Sequence, residues 1–181
     1  MQRVSQEILD SLGGFDSATL FNALVEKLGL PNEDYTAHNI RCLLPEFGAI
    51  VGYAVTSEVT TNDPDSPGLP WEDYYAQIEK TSGPLIAVMK DVDSRPGRGA
   101  SFGDGMATLH RRLGVVAAVV DGTVRDLQGI RDAGLPIHAW GTVPGHGVFN
   151  LTRFNTSVTV GQLRVRPGDL MLADSNGCVR I

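Results

Sequence analysis

Leu85-Ile86-Ala87-Val88-Met89 and Val115-Val116-Ala117-Ala118-Val119-Val120 are the two stretches that decide the fold. Both are continuous apolar runs of strand length, without the alternation of a half-wetted strand, which is the pattern of strands covered on both faces. Between them, Gly105 to Arg112 is short and helix-compatible. Strand, loop, helix and strand in that order predict a βαβ unit, whose crossover is right-handed in nearly every case. Beyond Val120, Asp121-Gly122 reads as a turn, Asp126 to Ala133 as a short helix closed by Gly134, and Leu135 to Trp140 as a third apolar stretch.

Working outward, Val4, Ile8, Leu9 and Leu12 fall at helical spacing and Gly13-Gly14 end the pattern. Asp16 or Ser17 can cap a second helix carrying Leu20, Phe21, Leu24, Val25 and Leu28, stopped by Gly29 and Pro31. Ala49 to Thr60 is β-branched and reads as a strand, followed by the Pro/Gly/Asp-rich loop TNDPDSPGLP at 61–70. A helix is expected from Trp71 to Lys80, with Glu72 and Asp73 favourable in its first turn. Its Trp71, Tyr74, Tyr75 and Ile78 read as a packed face rather than an aromatic binding surface. From Ser157 to Ile181 short alternating segments (SVTV, LRV, DLMLAD, CVRI) are separated by Gly161, Pro167-Gly168 and Asn176-Gly177, which predicts hairpins.

The composition narrows the function. The 181 residues are 42% hydrophobic, enough for one domain with a real core. Fifteen basic residues against 21 acidic ones give a net charge of −6, and apart from Arg111-Arg112 the basic residues are scattered. No footprint for a phosphate backbone results, and nucleic acid is not expected as a ligand. The opening MQRVSQEILD has no apolar signal region, and no later run approaches the roughly 18 apolar residues of a membrane span. A cytoplasmic protein without membrane attachment is expected. Cys42 and Cys178 are distant in sequence and read as small buried hydrophobes.

Two loops carry the candidate chemistry. Phe102-Gly103-Asp104-Gly105-Met106 opens the crossover helix, where glycines admit close backbone approach and the helix N-terminus favours an anion. Asp121-Gly122-Thr123-Val124-Arg125-Asp126 follows the second apolar strand; Arg125 offers a planar fork for a carboxylate and Asp126 offers hard oxygens suited to Mg²⁺ or Mn²⁺. Ligands of open α/β sheets sit beyond the carboxyl ends of parallel strands, where these loops are expected to meet. Two plainer readings stay open: Asp104 as a helix cap in a tight turn, and Asp126 as the cap of the helix after it. The glycines do not complete G-x-G-x-x-G, and there is no P-loop. His38, His110, His138 and His146 share no metal-ligand spacing; His110 is expected partly buried or at the surface, and His146 in a structural or solvent-facing role.

Several of these motifs together resemble the RraA-like family, which includes 4-hydroxy-4-methyl-2-oxoglutarate aldolases and regulators of ribonuclease E activity. The resemblance rests on G-(D/E)-x-x-A-T at Gly103 to Thr108, D-G-x-x-R-D at Asp121 to Asp126, and Gly134-Leu135-Pro136. It extends to G-x-A-V-T at Gly52 to Thr56 and P-G-D-L-x-x-A-D at Pro167 to Asp174, running from about Phe15 to Ile181. It implies an α/β fold, a swivelling β/β/α-type single domain over 1–181 with a central βαβ unit and C-terminal β-hairpins, residues 1–14 being an N-terminal helical extension. It implies a homotrimer or a dimer of trimers.

By matching position, the resemblance assigns the backbone of Gly103, Asp104, Gly105 and Met106 to a pyruvyl carboxylate and Arg125 to substrate binding. It makes Asp126 a direct ligand of a divalent cation (Mg²⁺ or Mn²⁺) and Asp104 a ligand through water. The implied activity is retro-aldol cleavage of a 4-hydroxy-2-keto acid such as 4-hydroxy-4-methyl-2-oxoglutarate, releasing pyruvate, with oxaloacetate decarboxylation as a companion. The other branch implies a non-catalytic regulator that binds and inhibits a ribonuclease or another protein. The chain departs from aldolase-like members at Gly105-Met106, where a Leu pair is common, and at Ala139-Trp140-Gly141, where many have A-R-G. Many aldolase members also continue past the position of Ile181 into a segment that can lend an acidic group to a neighbouring subunit's metal site.

Overall fold

The computed structural model describes residues 3–29 and 33–181. Two helices lead, α1 (Gln6–Leu12) and α2 (Ser17–Leu28). Asp16 is the residue that caps α2, accepting from the Thr19 N–H at 2.8 Å. Ser17 is already helical, and its N–H and hydroxyl both donate to Asp174, at 2.7 and 2.8 Å. Gly29 ends α2 at φ +63°, a left-handed conformation that glycine adopts without a Cβ penalty. Pro31, expected to reinforce that stop, lies outside the described residues.

The chain continues through β1 (Arg41–Cys42), a 3₁₀ turn (Pro45–Phe47), β2 (Ile50–Thr60), α3 (Trp71–Glu79) and β3 (Leu85–Asp91). Next come β4 (Ala100–Phe102), α4 (Asp104–Arg112), β5 (Val115–Asp121), β6 (Thr123–Val124), α5 (Leu127–Asp132), β7 (Ile137–Ala139), β8 (Gly141–Thr142) and β9 (Asn150–Phe154). Two hairpins finish it, β10 (Val158–Val160) with β11 (Leu163–Val165) and β12 (Leu170–Asp174) with β13 (Gly177–Arg180).

The main sheet runs β1-β7-β5-β3-β2-β12-β13, with β2, β3, β5 and β7 parallel and the outer pairings antiparallel. The expected βαβ unit is present: β3 and β5 pair in parallel, with Ala87 opposite Ala118 and Val88 opposite Val119. Long β2 serves two partners in succession, Ile50 to Tyr53 pairing with β12 and Ser57 to Thr60 with β9.

The layers explain why the central strands are apolar throughout. Leu85, Ala87 and Met89 belong to a core shared with Tyr74 and Ile78 of α3, Ala107 of α4 and Ile130 of α5. Ile86 and Val88 belong to a second core shared with Val158, Val160, Leu163 and Val165 of the β10–β11 hairpin. One face of the sheet is thus covered by helices and the other by strands, a β/β/α layering in which alternating residues both lose water. Each fully buried Val, Leu or Ile contributes about 1.5–3 kcal/mol, so neither face tolerates a polar register.

One expectation from the sequence needs correction here. Asp121-Gly122 is not a turn; the chain passes from β5 directly into β6, which joins a second, wholly parallel sheet of order β4-β6-β8. Gly122 permits this because a Cβ there would sit 2.9 Å from the Asp91 Cβ. The Gly-rich segment that carries His146, residues 143–149, is a loop between β8 and β9. No helix among the described residues is long and apolar enough to cross a membrane.

Candidate active-site cleft

β4 and β6 lie side by side and parallel, so the loops at their carboxyl ends leave the small sheet together. The Arg125 N–H donates to the Phe102 carbonyl at 3.0 Å, fixing one loop to the other. The expectation that both loops meet beyond parallel strand ends therefore holds, but the strands are those of the second sheet. Gly103 stands against the other loop: a Cβ there would lie 3.4 Å from Asp126 Oδ2 and 3.6 Å from Arg125 Cγ.

A cleft of about 260 Å³ results, lined by Gly103, Asp104, Gly105, Met106, Arg125 and Asp126 together with Ala100, Phe102, His146 and Phe149. All six residues singled out in the sequence face one space. Gly103 is the N-cap of α4 and has no side chain to cap that helix, so the first-turn N–H groups of Asp104 and Met106 are open to a ligand. Asp104 is the first helical residue rather than the cap, and its Oδ1 accepts from the Gly105 N–H at 2.7 Å. Asp126 sits at φ +57°, ψ +43°, left-handed and not glycine, at the N-cap of α5, yet its carboxylate makes no capping bond. The plainer reading of Asp126 as a cap is corrected by this geometry. A non-glycine residue held left-handed costs on the order of 1 kcal/mol, and such strain concentrates at functional sites.

The carboxylate of Asp126 is half-exposed and paired with Arg125, Nε to Oδ2 at 3.1 Å. Among the described residues no three His, Cys, Asp or Glu side chains converge into a metal cage. Two carboxylates on an open cleft are nevertheless a fitting donor set for Mg²⁺ or Mn²⁺, which take one or two protein carboxylates and fill their shell with water and substrate oxygens. Gly129 of α5 sets the position of Asp104: a Cβ there would stand 2.6 Å from the Asp104 Cβ.

The sequence underrated two residues. His146, expected in a structural or solvent-facing role, lines the cleft, its Nδ1 donating to the Gly147 carbonyl at 2.8 Å so that Nε2 stays free of that bond. Phe149 lines the same wall and stacks on Trp71, ring centroids 4.9 Å apart at 11°. Tyr74 and Ile78 are buried as a packed face should be, whereas Trp71 is half-buried and backs the cleft. The only local signal was the glycine content of 141–147, which reports close backbone approach without saying to what.

His110 is fully buried, not partly exposed. Its Nδ1 donates to the Met106 carbonyl at 2.8 Å, and its Nε2 accepts from the Tyr74 hydroxyl at 2.9 Å, tying α3 to the helix that bears the cleft. Burial pushes its pKa down to about 4, against a smaller opposing effect of the Met106 bond. Cys178 is buried as expected, but Cys42 is only half-buried; burial raises the pKa of both thiols.

A larger, more open cleft of about 680 Å³ lies on the hairpin side, lined in part by Lys90, Asp121 and Trp140. Three of its polar groups are tied to one another: the Lys90 ammonium donates to Asp121 Oδ2, and the Trp140 indole N–H donates to Asp121 Oδ1 at 2.7 Å. Trp140 therefore lies apart from the cleft of Arg125, and that smaller cleft is where the two acids, the arginine and the α4 N-terminus meet.

A β/β/α domain carrying a glycine-acid helix start and an Arg-Asp pair in one cleft defines the class of protein. The family model described as RraA-like (Aldolase/RraA) matches residues 17–180, and the chain belongs to that family. An uncharacterized protein of Methanocaldococcus jannaschii is 30% identical over 146 residues, 80% of this chain and 66% of that protein. A Halalkalibacterium halodurans protein provisionally named as a 4-hydroxy-4-methyl-2-oxoglutarate aldolase is 28% identical over 135 residues, 74% of this chain and 60% of that one. The chain thus spans less than two thirds of the length of these relatives. Among solved structures, Streptomyces coelicolor RraAS2, described as an unusual member of the RNase ES inhibitor RraA family, superposes with a TM-score of 0.79 at 26% identity, covering 99% of this chain and 87% of that one.

Proposed function

We propose that this chain is a divalent-metal-dependent lyase that cleaves a 4-hydroxy-2-keto acid by retro-aldol chemistry, releasing pyruvate, and that decarboxylates oxaloacetate as a companion reaction. The observation that carries the reading is the geometry of Asp126, a strained, half-exposed carboxylate without a capping role, paired with Arg125 beside a helix whose N-cap, Gly103, has no side chain. In this reading the first-turn N–H groups of α4 hold the pyruvyl carboxylate. Arg125 clamps the substrate with its fork and offsets negative charge on the reacting keto acid. Asp126 would hold Mg²⁺ or Mn²⁺ directly, and Asp104 would hold it through water. When bound, the cation would supply positive charge to stabilise the negative charge of a keto acid. Both reactions pass through the enolate of pyruvate, which is why one cleft serves both.

The test is pyruvate release from oxaloacetate and from 4-hydroxy-4-methyl-2-oxoglutarate with added Mg²⁺ or Mn²⁺. Activity abolished by EDTA and restored by the cation supports the reading, and full activity in the chelator overturns the metal's part in it. The likeness to the Streptomyces RNase ES inhibitor relative favours one second reading, a regulator that binds a protein partner. No pyruvate from either substrate, with inhibition of a ribonuclease by the pure protein, would establish that one instead. The assembly proposed is a homotrimer or a dimer of trimers, which light scattering distinguishes from a 19.4 kDa monomer.

A further inference from the structure

We infer that His146 is the proton-transfer residue of the retro-aldol step: its Nε2 takes the proton of the substrate's C4 hydroxyl and returns it to C3 of the departing pyruvate. The inference rests on the lyase reading above and gives a task to a cleft residue which that reading does not use.

His146 lines the cleft with Arg125 and Asp126, and it is exposed rather than packed away. Its Nδ1 lies 2.8 Å from the Gly147 carbonyl oxygen. A carbonyl oxygen only accepts, so in the neutral imidazole the ring proton is on Nδ1 and the lone pair is on Nε2. A histidine with one nitrogen oriented by an acceptor and the other left for the reacting group has the arrangement of a general base.

The position of this ring is built into the fold. Before it, the Gly145 carbonyl accepts from the Ala100 N–H at 2.7 Å; after it, the Val148 N–H donates to the Thr61 carbonyl at 2.9 Å. Gly147 runs so close to Thr61 that a Cβ would fall 1.9 Å from its carbonyl oxygen, and a Cβ on Gly99 would stand 3.2 Å from the His146 carbonyl carbon. Phe149, left-handed at φ +58°, stacks on Trp71 with centroids 4.9 Å apart. β4, the end of β2 and α3 thus fix the loop before any ligand arrives, and a group already in place loses little freedom on meeting a substrate.

In the lyase reading the carboxylates of Asp126 and Asp104 are given to the cation, and positive charge beside the keto acid comes from Arg125 and from that cation when bound. Positive charge eases the departure of an electron pair but takes no proton; a neutral imidazole does. The step balances without an oxidant. The C4 hydroxyl gives its proton to Nε2, the C4–O bond becomes a carbonyl as the C3–C4 bond breaks, and the electron pair passes to C3. C3 then takes the proton from the imidazolium, leaving pyruvate, an aldehyde or ketone, and neutral His146. Oxaloacetate differs here: its C3–C4 bond breaks with loss of CO₂, no hydroxyl proton has to be removed, and water can protonate C3. His146, Arg125 and Asp126 line one cleft within one chain, so a neighbouring copy in the proposed trimer would add to that wall without supplying these groups.

The experiment measures pyruvate by chromatography from 4-hydroxy-4-methyl-2-oxoglutarate and from oxaloacetate, with Mg²⁺, for the full chain and for His146→Gln, above the rates without protein. The glutamine keeps polarity and about the same reach but accepts no proton. The ratio of cleavage to decarboxylation should fall by about tenfold or more, since a positioned base contributes on the order of 10²–10⁴-fold to the step that uses it. A ratio does not depend on how much of the variant folds, and damage to the cleft as a whole lowers both activities together. Mn²⁺ affinity, read by titration calorimetry, should stay that of wild type. A smaller change in the ratio, or a loss of Mn²⁺ affinity that makes His146 a metal ligand, overturns this inference alone. Absence of either activity from the wild type removes the lyase reading as stated and this inference with it.

Discussion

Arg125 Nε lies 3.1 Å from Asp126 Oδ2, and the carboxylate it holds caps nothing in the helix that starts at the next residue. A pair this exposed adds little to stability, about 0–1 kcal/mol, so its residues can be changed with the fold left standing. Asp126→Asn keeps the shape and tolerates the left-handed backbone, while removing the charge. Mn²⁺ affinity, read by titration calorimetry, and turnover should fall together, with Tm moving by less than about 3 °C. Unchanged Mn²⁺ binding would remove Asp126 as the direct ligand.

Arg125→Lys retains a positive charge but loses the planar fork. A clamp on a substrate carboxylate should weaken by about 1.5–3 kcal/mol. The loss appears in KM if the clamp holds ground and transition states alike, and in kcat if it acts on the developing enolate. Wild-type kinetics with a lowered Tm would make the pair structural.

Gly129→Ala tests how closely α5 must approach Asp104. An alanine at an ordinary helical site would stabilise by up to about 1 kcal/mol, but here its Cβ would fall 2.6 Å from the Asp104 Cβ, which is no flexible end that can swing aside. The α4 N-terminus must shift, and activity should drop about tenfold or more, since small misplacements at a reacting centre are costly. Full activity in Gly129→Ala would show that the position of Asp104 is not critical.

His110 gives a pH dependence with a defined sign. Its pKa is near 6.5 unfolded and pushed down to about 4 by burial in the fold. The unfolded chain therefore binds the extra proton first, so the stability from a neutral buried His110 is complete above pH 6.5. It is lost progressively as pH falls from there toward 4, by an amount on the order of 3 kcal/mol. Tm should fall between pH 7 and 5, and His110→Gln should flatten that slope. The slope should not vanish, because burial also lowers the pKa of His138, whose Nε2 donates to the Asp174 carbonyl at 2.7 Å. A slope identical in wild type and His110→Gln would contradict this account.

Much of the frame was legible because its signals are local. The apolar runs at Leu85–Met89 and Val115–Val120 announced strands buried on both faces, and turn residues at Gly161 and Asn176-Gly177 announced the hairpins. Asp121-Gly122 misled because its composition is that of a turn. The three-stranded parallel sheet that absorbs the next two residues is made by pairing with Ala100 to Phe102 and Gly141-Thr142, distant in sequence and each too short to show a period.

The sequence by itself determined the chemistry on offer: one glycine-flanked acid, a second acid and an arginine at the ends of strands, in motifs that resemble the RraA-like family. Only the tertiary structure decided where that chemistry sits and what surrounds it. It placed the loops on the second sheet, freed Asp126 from a capping role, and brought His146 and Phe149 against the cleft from a segment more than twenty residues downstream of Asp104 and Arg125. The physical reason is that the side-chain types are fixed residue by residue, whereas the wall of a cleft is set by long-range approach. Here that approach depends on Thr61, Ala100 and Trp71, partners which no local pattern around Phe149 names.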